Sequence, residues 1–212
     1  MPTELEAVAA EAAGCTRCRL HQSRTQVVFG QGDPHADLMF VGEAPGFHED
    51  RQGVPFVGPS GQLLNRLLEG IGLRRQDVYI CNVVKSRPPN NRDPQPDEIA
   101  ACRPWLDAQI RLVDPKVVVT LGNFAAKTLL ETTTGITRLR GQTYPFQGRV
   151  LLPTFHPAAA LHAQGRRTAG PSPLEAMEGD FRVLAELLAA QVPAEPEPET
   201  AEDRPTEQLG LF

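Results

Sequence analysis

Four short apolar runs, residues 38–41, 78–84, 117–121 and 150–153, alternate with stretches whose apolar side chains recur every three to four positions. Runs this short and this rich in Val, Ile and Leu suit strands buried on both faces. After the first run, Leu63, Leu64, Leu67, Leu68 and Ile71 share one helical face. Ile99, Cys102, Trp105, Leu106 and Ile110 make a second such face, and residues 124–130, with Asn123 as the expected N-cap, a third. Leu174, Met177, Phe181, Leu184, Leu187 and Leu188 predict a closing amphipathic helix. Strands separated by helices of this length pair in parallel. The expected fold class is therefore α/β, three layers (α/β/α) around a central, mainly parallel, four-stranded sheet. Ligands of such sheets gather at the carboxyl ends of the strands, which directs attention to residues 42–61, 82–96 and 155–161.

With 212 residues the chain is long enough for one domain with its own core. No apolar stretch reaches the length of a membrane span, and the opening MPTELEAVAAEAA lacks the basic region of a secretory signal. A cytoplasmic monomer without membrane association is expected. A formal net charge of -5 argues at first against a polyanionic partner, but the excess is local. Residues 191–212 carry Glu195, Glu197, Glu199, Glu202, Asp203 and Glu207 against Arg204 alone, and the rest of the chain is balanced. Proline and acid dominate residues 193–207, leaving too little apolar content to fold. The expected division is a domain over residues 1–190 and a disordered acidic, proline-rich tail over 191–212. That tail ends on Leu209, Leu211 and Phe212, an apolar tip on a tether, as in a docking peptide.

The first loop reads GEAPGFHEDRQGVPFVGPSG. Its glycines allow a ligand close to the backbone, yet it matches neither the dinucleotide fingerprint nor the phosphate loop ending in Gly-Lys-Ser/Thr. A nicotinamide dehydrogenase and an ordinary nucleotide hydrolase are both disfavoured. What the loop does hold is a set of polar groups, Glu43, His48, Glu49 and Asp50, together with Phe56; individually these read as solvated charges and a core plug. Asn82 ends the second strand, where a carboxamide, donor and acceptor at once, can read the edge of a heterocycle such as uracil or simply cap a turn. The following KSRPPNNRDPQP supplies Lys85, Arg87 and Arg92 to a phosphate backbone or to solvent. His156 follows the fourth strand, placed to stabilise developing negative charge or to move a proton. Leu161 beyond it suits a wedge into a base stack or a place in the core.

Taken together, GEAPG (Gly42 to Gly46), Glu49-Asp50, PFVG, YICNVVK, RPPNNR, the Leu121-Gly122 pair and FHPA (Phe155 to Ala158) resemble, in order and spacing, the uracil-DNA glycosylases of the thermophile-type, or family-four, branch. The resemblance runs from about Cys15 to His162. It implies a monofunctional enzyme that flips a uracil nucleotide out of DNA and hydrolyses its N-glycosidic bond, opening base excision repair. It implies a uracil site of Gly42, Phe56 and Asn82, Phe56 stacking on the ring and Asn82 bonding its polar edge. Cytosine reverses that donor and acceptor pattern and would be rejected. The resemblance casts His156 as donor to the uracil O2. Relatives outside the branch place an aspartate where this chain has Ala44, which leaves Glu43 and Glu49 as the acids able to hold the water. Glu49, steadied by Asn91, is also expected to exclude the 5-methyl group of thymine. Lys85, Arg87, Asn91, Arg92 and Leu161 are the expected DNA contacts. His162 stands where relatives commonly carry arginine.

Four dispersed cysteines in an intracellular chain suggest a metal site before disulfides. Relatives hold a 4Fe-4S cluster on four cysteines, and Cys15, Cys18 and Cys102 match three of them. Ser86 occupies the fourth family position, with Cys81 five residues earlier, so the fourth ligand stays open between a recruited Cys81, Ser86 and no cluster at all. The closing Gln208-Leu209-Gly210-Leu211-Phe212 is similar to the peptide by which bacterial repair proteins bind the sliding clamp. The alternative function is a catalytically silent relative of the same fold that binds damaged DNA or the clamp.

Overall fold

A computed structural model describes residues 3–163 and 170–190. The expected tail boundary and the clamp-type peptide lie outside the described residues. Helix α1 (Glu4–Ala13) precedes strands β1 (Gln31–Gly32) and β2 (Leu38–Gly42), helices α2 (Phe47–Gln52) and α3 (Pro59–Glu69), strand β3 (Tyr79–Asn82) and helix α4 (Pro96–Val113). Strand β4 (Val117–Leu121), helices α5 (Asn123–Leu130) and α6 (Ile136–Leu139), strands β5 (Tyr144–Phe146) and β6 (Arg149–Thr154), and helices α7 (Pro157–His162) and α8 (Pro173–Ala189) follow. Among the described residues no helix is long and apolar enough to cross a membrane.

The four expected strands form the centre of the sheet, paired in parallel in the order β3-β2-β4-β6. The sheet is wider than four strands, because β1 and β5 add antiparallel edges to β3 and β6. Alternate side chains of the strands enter two cores, as the pleat requires. Met39, Val41, Tyr79, Cys81 and Val118 face α1, α4 and α5, while Phe40, Ile80, Val119 and Leu152 face α3, α7 and α8. In the second core Phe40 stacks on Phe181, ring centres 5.9 Å apart. Asn123 is not the N-cap of α5; Gly122 holds that place with a φ of 93°, and Asn123 Oδ1 instead accepts the Ile136 N–H at 3.2 Å.

Parallel pairing fixes the site, because it brings the carboxyl ends of β2, β3, β4 and β6 to one edge. Gly42 pairs in register with Asn82. At the end of β6, Thr154 Oγ1 donates to Asp180 Oδ2 at 2.5 Å, and Arg140 pairs with Asp180 at 2.6 Å, tying the strand that leads to His156 onto α8.

Candidate active site

A cleft of about 670 Å³ opens at that edge, lined by Glu43, Phe47, Phe56, Asn82 and His156 among others. This is the size of a site for a small planar ligand with its neighbours. Asn82 is buried, and among the described residues its Oδ1 has no hydrogen-bond donor. A buried acceptor left unpaired costs about 1–3 kcal/mol, so the position is kept for a donor from outside the chain. Gly42 is what leaves room for one: a Cβ there would collide with Asn82 Oδ1 and stand 2.6 Å from Phe56 Cζ.

Phe56 sits at a φ of 52°, a left-handed conformation that a bulky side chain adopts only when its surroundings enforce it. Two groups do so. Arg75, which nothing in the sequence distinguishes, donates to Phe56 O at 3.0 Å and to Pro55 O. Glu49 Oε1 accepts the Val57 and Gly58 N–H groups at 3.0 Å, and its Oε2 accepts Gly46 N–H at 3.1 Å, which also caps α2. Glu49 therefore braces the loop with both oxygens. Its expected partner Asn91 bonds elsewhere, Asn91 Oδ1 accepting from Arg87 Nε at 2.7 Å.

His156 lies tilted against Phe56, ring centres 5.7 Å apart, and Gly122 makes room for it, since a Cβ at Gly122 would lie 2.9 Å from His156 Cβ. Burial pushes the His156 pKa down to about 4, Glu49 opposing the shift only in part. The ring is thus neutral at pH 7. Its Nδ1 accepts the Ala158 N–H at 3.1 Å, so the single ring proton resides on Nε2. For Glu43, burial, and secondarily the nearby Asp93 carboxylate, push the pKa up to about 7.

One expected DNA contact, Lys85, is corrected. Lys85 is buried and cannot meet a phosphate: its Nζ donates to Asn82 O at 2.5 Å and to Gln109 Oε1, behind the base-facing strand. Gln109, missed in the sequence, in turn donates to Phe29 O at 2.8 Å. Arg92 is engaged by Glu98 through two hydrogen bonds of 2.8 and 2.6 Å. Arg87 lies over the ring of Phe47, which lines the cleft, and Leu161 lies partly buried on α7 against the second core.

Among the described residues no three His, Cys, Asp or Glu side chains converge as on a single metal ion. Cys15, Cys18 and Cys102 are nonetheless within electrostatic reach of one another. Trp105 Nε1–H donates to Cys15 Sγ and Lys85 N–H to Cys102 Sγ, each at 3.4 Å. The Ser86 hydroxyl accepts from Arg24 at 3.1 Å, and Arg24 in turn lies near Cys18. Cys81 stands apart, buried in β3 against Lys85.

Residues 29–181 match the family described as the uracil DNA glycosylase superfamily. A type-4 uracil-DNA glycosylase of Sulfurisphaera tokodaii is 45% identical over 192 residues, covering 86% of this chain and 84% of that protein. The type-4 uracil-DNA glycosylase of Thermotoga maritima is 48% identical over 159 residues, 74% of this chain and 83% of that protein. That of Archaeoglobus fulgidus is 42% identical over 198 residues, covering 89% and 96%.

Proposed function

The chain belongs to the uracil-DNA glycosylase superfamily, and from that premise we propose that it takes uracil-containing DNA, flips the uracil nucleotide into the cleft and hydrolyses its N-glycosidic bond. The backbone is left uncut, and the abasic product enters base excision repair. One observation carries this reading: the unpaired, buried Asn82 Oδ1 beside Phe56. Uracil N3–H supplies the missing donor and uracil O4 accepts from the same carboxamide. Incubation with a strand containing one uracil, followed by alkali, is expected to break the strand at that base. Tight binding without a break would mean a silent binding protein instead.

Bond cleavage moves electrons from the C1′–N1 bond into the uracil ring, and the charge grows on O2. His156 Nε2–H is a neutral donor aimed into the cleft, and the strength of its bond to O2 rises as that charge grows. A preorganised donor of this kind contributes roughly 3–4 kcal/mol to the transition state. Phe56 stacks on the ring. Glu43, as the carboxylate, holds and orients the water that captures C1′, while Glu49 fixes the Phe56 loop and closes the space where the thymine methyl would stand. Leu161 fills the gap in the stack, and Arg87 meets a phosphate. The protein works in the cytoplasm as a monomer.

Cys15, Cys18 and Cys102, with Ser86 at the fourth position, are the residues to hold a 4Fe-4S cluster. Such a cluster supplies a cross-link between the N-terminal segment and α4 and takes no part in hydrolysis. Iron and acid-labile sulfide, assayed per chain after anaerobic reconstitution, are expected to bind to the wild type and more durably to Ser86→Cys, since thiolate is the better ligand. Iron-free protein in both cases would refute the cluster.

The peptide Gln208-Leu209-Gly210-Leu211-Phe212 docks on the sliding clamp through its apolar side chains. Deleting residues 193–212 is expected to abolish binding to the clamp and to leave excision intact. Collapse of excision would place the segment in the catalytic domain.

A further inference from the structure

Lys85 is buried, and Arg92, which lines the cleft, is paired with Glu98. Arg51 and Arg87 stand beside Phe47 of the cleft lining, neither of them in an ion pair among the described residues; Arg87 bonds the neutral Asn91. Both guanidinium groups lie over one ring, that of Phe47, at 5.6 and 5.2 Å from its centre. Phe47 is 47% exposed, one of two large apolar side chains among the described residues to stand so open, the other being Leu174. It opens α2 and lines the same cleft as Phe56 and His156. His48 meets its ring edge-on at 5.5 Å.

An exposed phenyl ring with two guanidinium groups close by, neither in an ion pair among the described residues, has the chemistry of a single-strand platform, where bases stack on π faces and cations follow the phosphates. We propose that Phe47, Arg51 and Arg87 form a strand-binding subsite that takes the nucleobase adjoining the flipped uracil, its flanking phosphates meeting the two arginines. This subsite rests on the reading of the cleft as a uracil pocket. It lies outside the reacting groups, so it acts on capture of the strand and leaves the chemical step alone.

The test compares wild type, Phe47→Ala and Phe47→Trp on a single-stranded oligonucleotide bearing one uracil. Phe47→Ala is expected to raise KM about tenfold with kcat changed by less than about twofold. Phe47→Trp is expected to restore KM, and its added fluorescence to be quenched as the strand binds. Arg51→Gln and Arg87→Gln are each expected to lower the slope of log affinity against log salt by about one. An unchanged KM in Phe47→Ala, or an indole at this position that does not respond to saturating DNA, would overturn the subsite. A wild type that releases no uracil would instead overturn the reading of the pocket, and strand affinity by fluorescence anisotropy still decides the subsite in that case.

Discussion

Asn82→Ala is expected to lower kcat/KM for uracil excision roughly a thousandfold, with little change in stability. Two hydrogen bonds to the base are lost, and the N3–H and O4 groups enter a dry cleft unpaired, at about 1–3 kcal/mol each. In the folded protein Oδ1 has no partner to lose, which is why stability is spared. Truncation also removes the recognition of one base over another, so the residual rate is expected to be indifferent to the base presented. Steady-state kinetics with a uracil oligonucleotide, alongside thermal unfolding, checks both parts. A fall in activity that only tracked a fall in Tm would assign Asn82 to the core.

His156→Ala is expected to lower kcat by about 100–1,000-fold, the usual effect of deleting one preorganised donor, with KM much less affected. The pH profile separates His156 from Glu43. A His156 pKa of about 4 keeps the donor neutral throughout the neutral range, so no change in rate belongs to histidine near its ordinary 6.5. Glu43, pushed up to about 7, is protonated and inactive in acid, so kcat is expected to rise about tenfold per pH unit below 7 and to level above it. Glu43→Gln is expected to be slow and to lose that limb. Persistence of the limb in Glu43→Gln would assign the titration to another group.

The parallel heart of the sheet was legible because its strands are buried on both faces and stand out as apolar runs between helical patterns. The edges were not: β1 has two residues, both exposed, and β5 reads Tyr-Pro-Phe, too short for any alternation to register. Side chains that line the cleft were legible from loop position and motif, as Asn82 and His156 illustrate. Their supports were not. Lysine is rarely buried, so a Lys in a proline-rich loop reads as a surface cation; only the fold brings Gln109 and the Asn82 carbonyl to its ammonium group. Arg75 reaches Pro55 and Phe56 across the fold, a contact without a sequence signature. Glu49 was half visible. Three residues after Gly46 it has the spacing of a capping acid, and that spacing explains one of its three backbone bonds.

Phe56 and Gly42 border the Asn82 carboxamide while Lys85 holds the Asn82 backbone carbonyl, and selectivity at that carboxamide is the core of the account. The direct measurement is single-turnover release of base from oligonucleotides that differ only in carrying uracil, cytosine or thymine at one position. The expected result is rapid release of uracil and none of cytosine or thymine. Release of cytosine at a rate comparable to uracil, or no release of uracil, would contradict it.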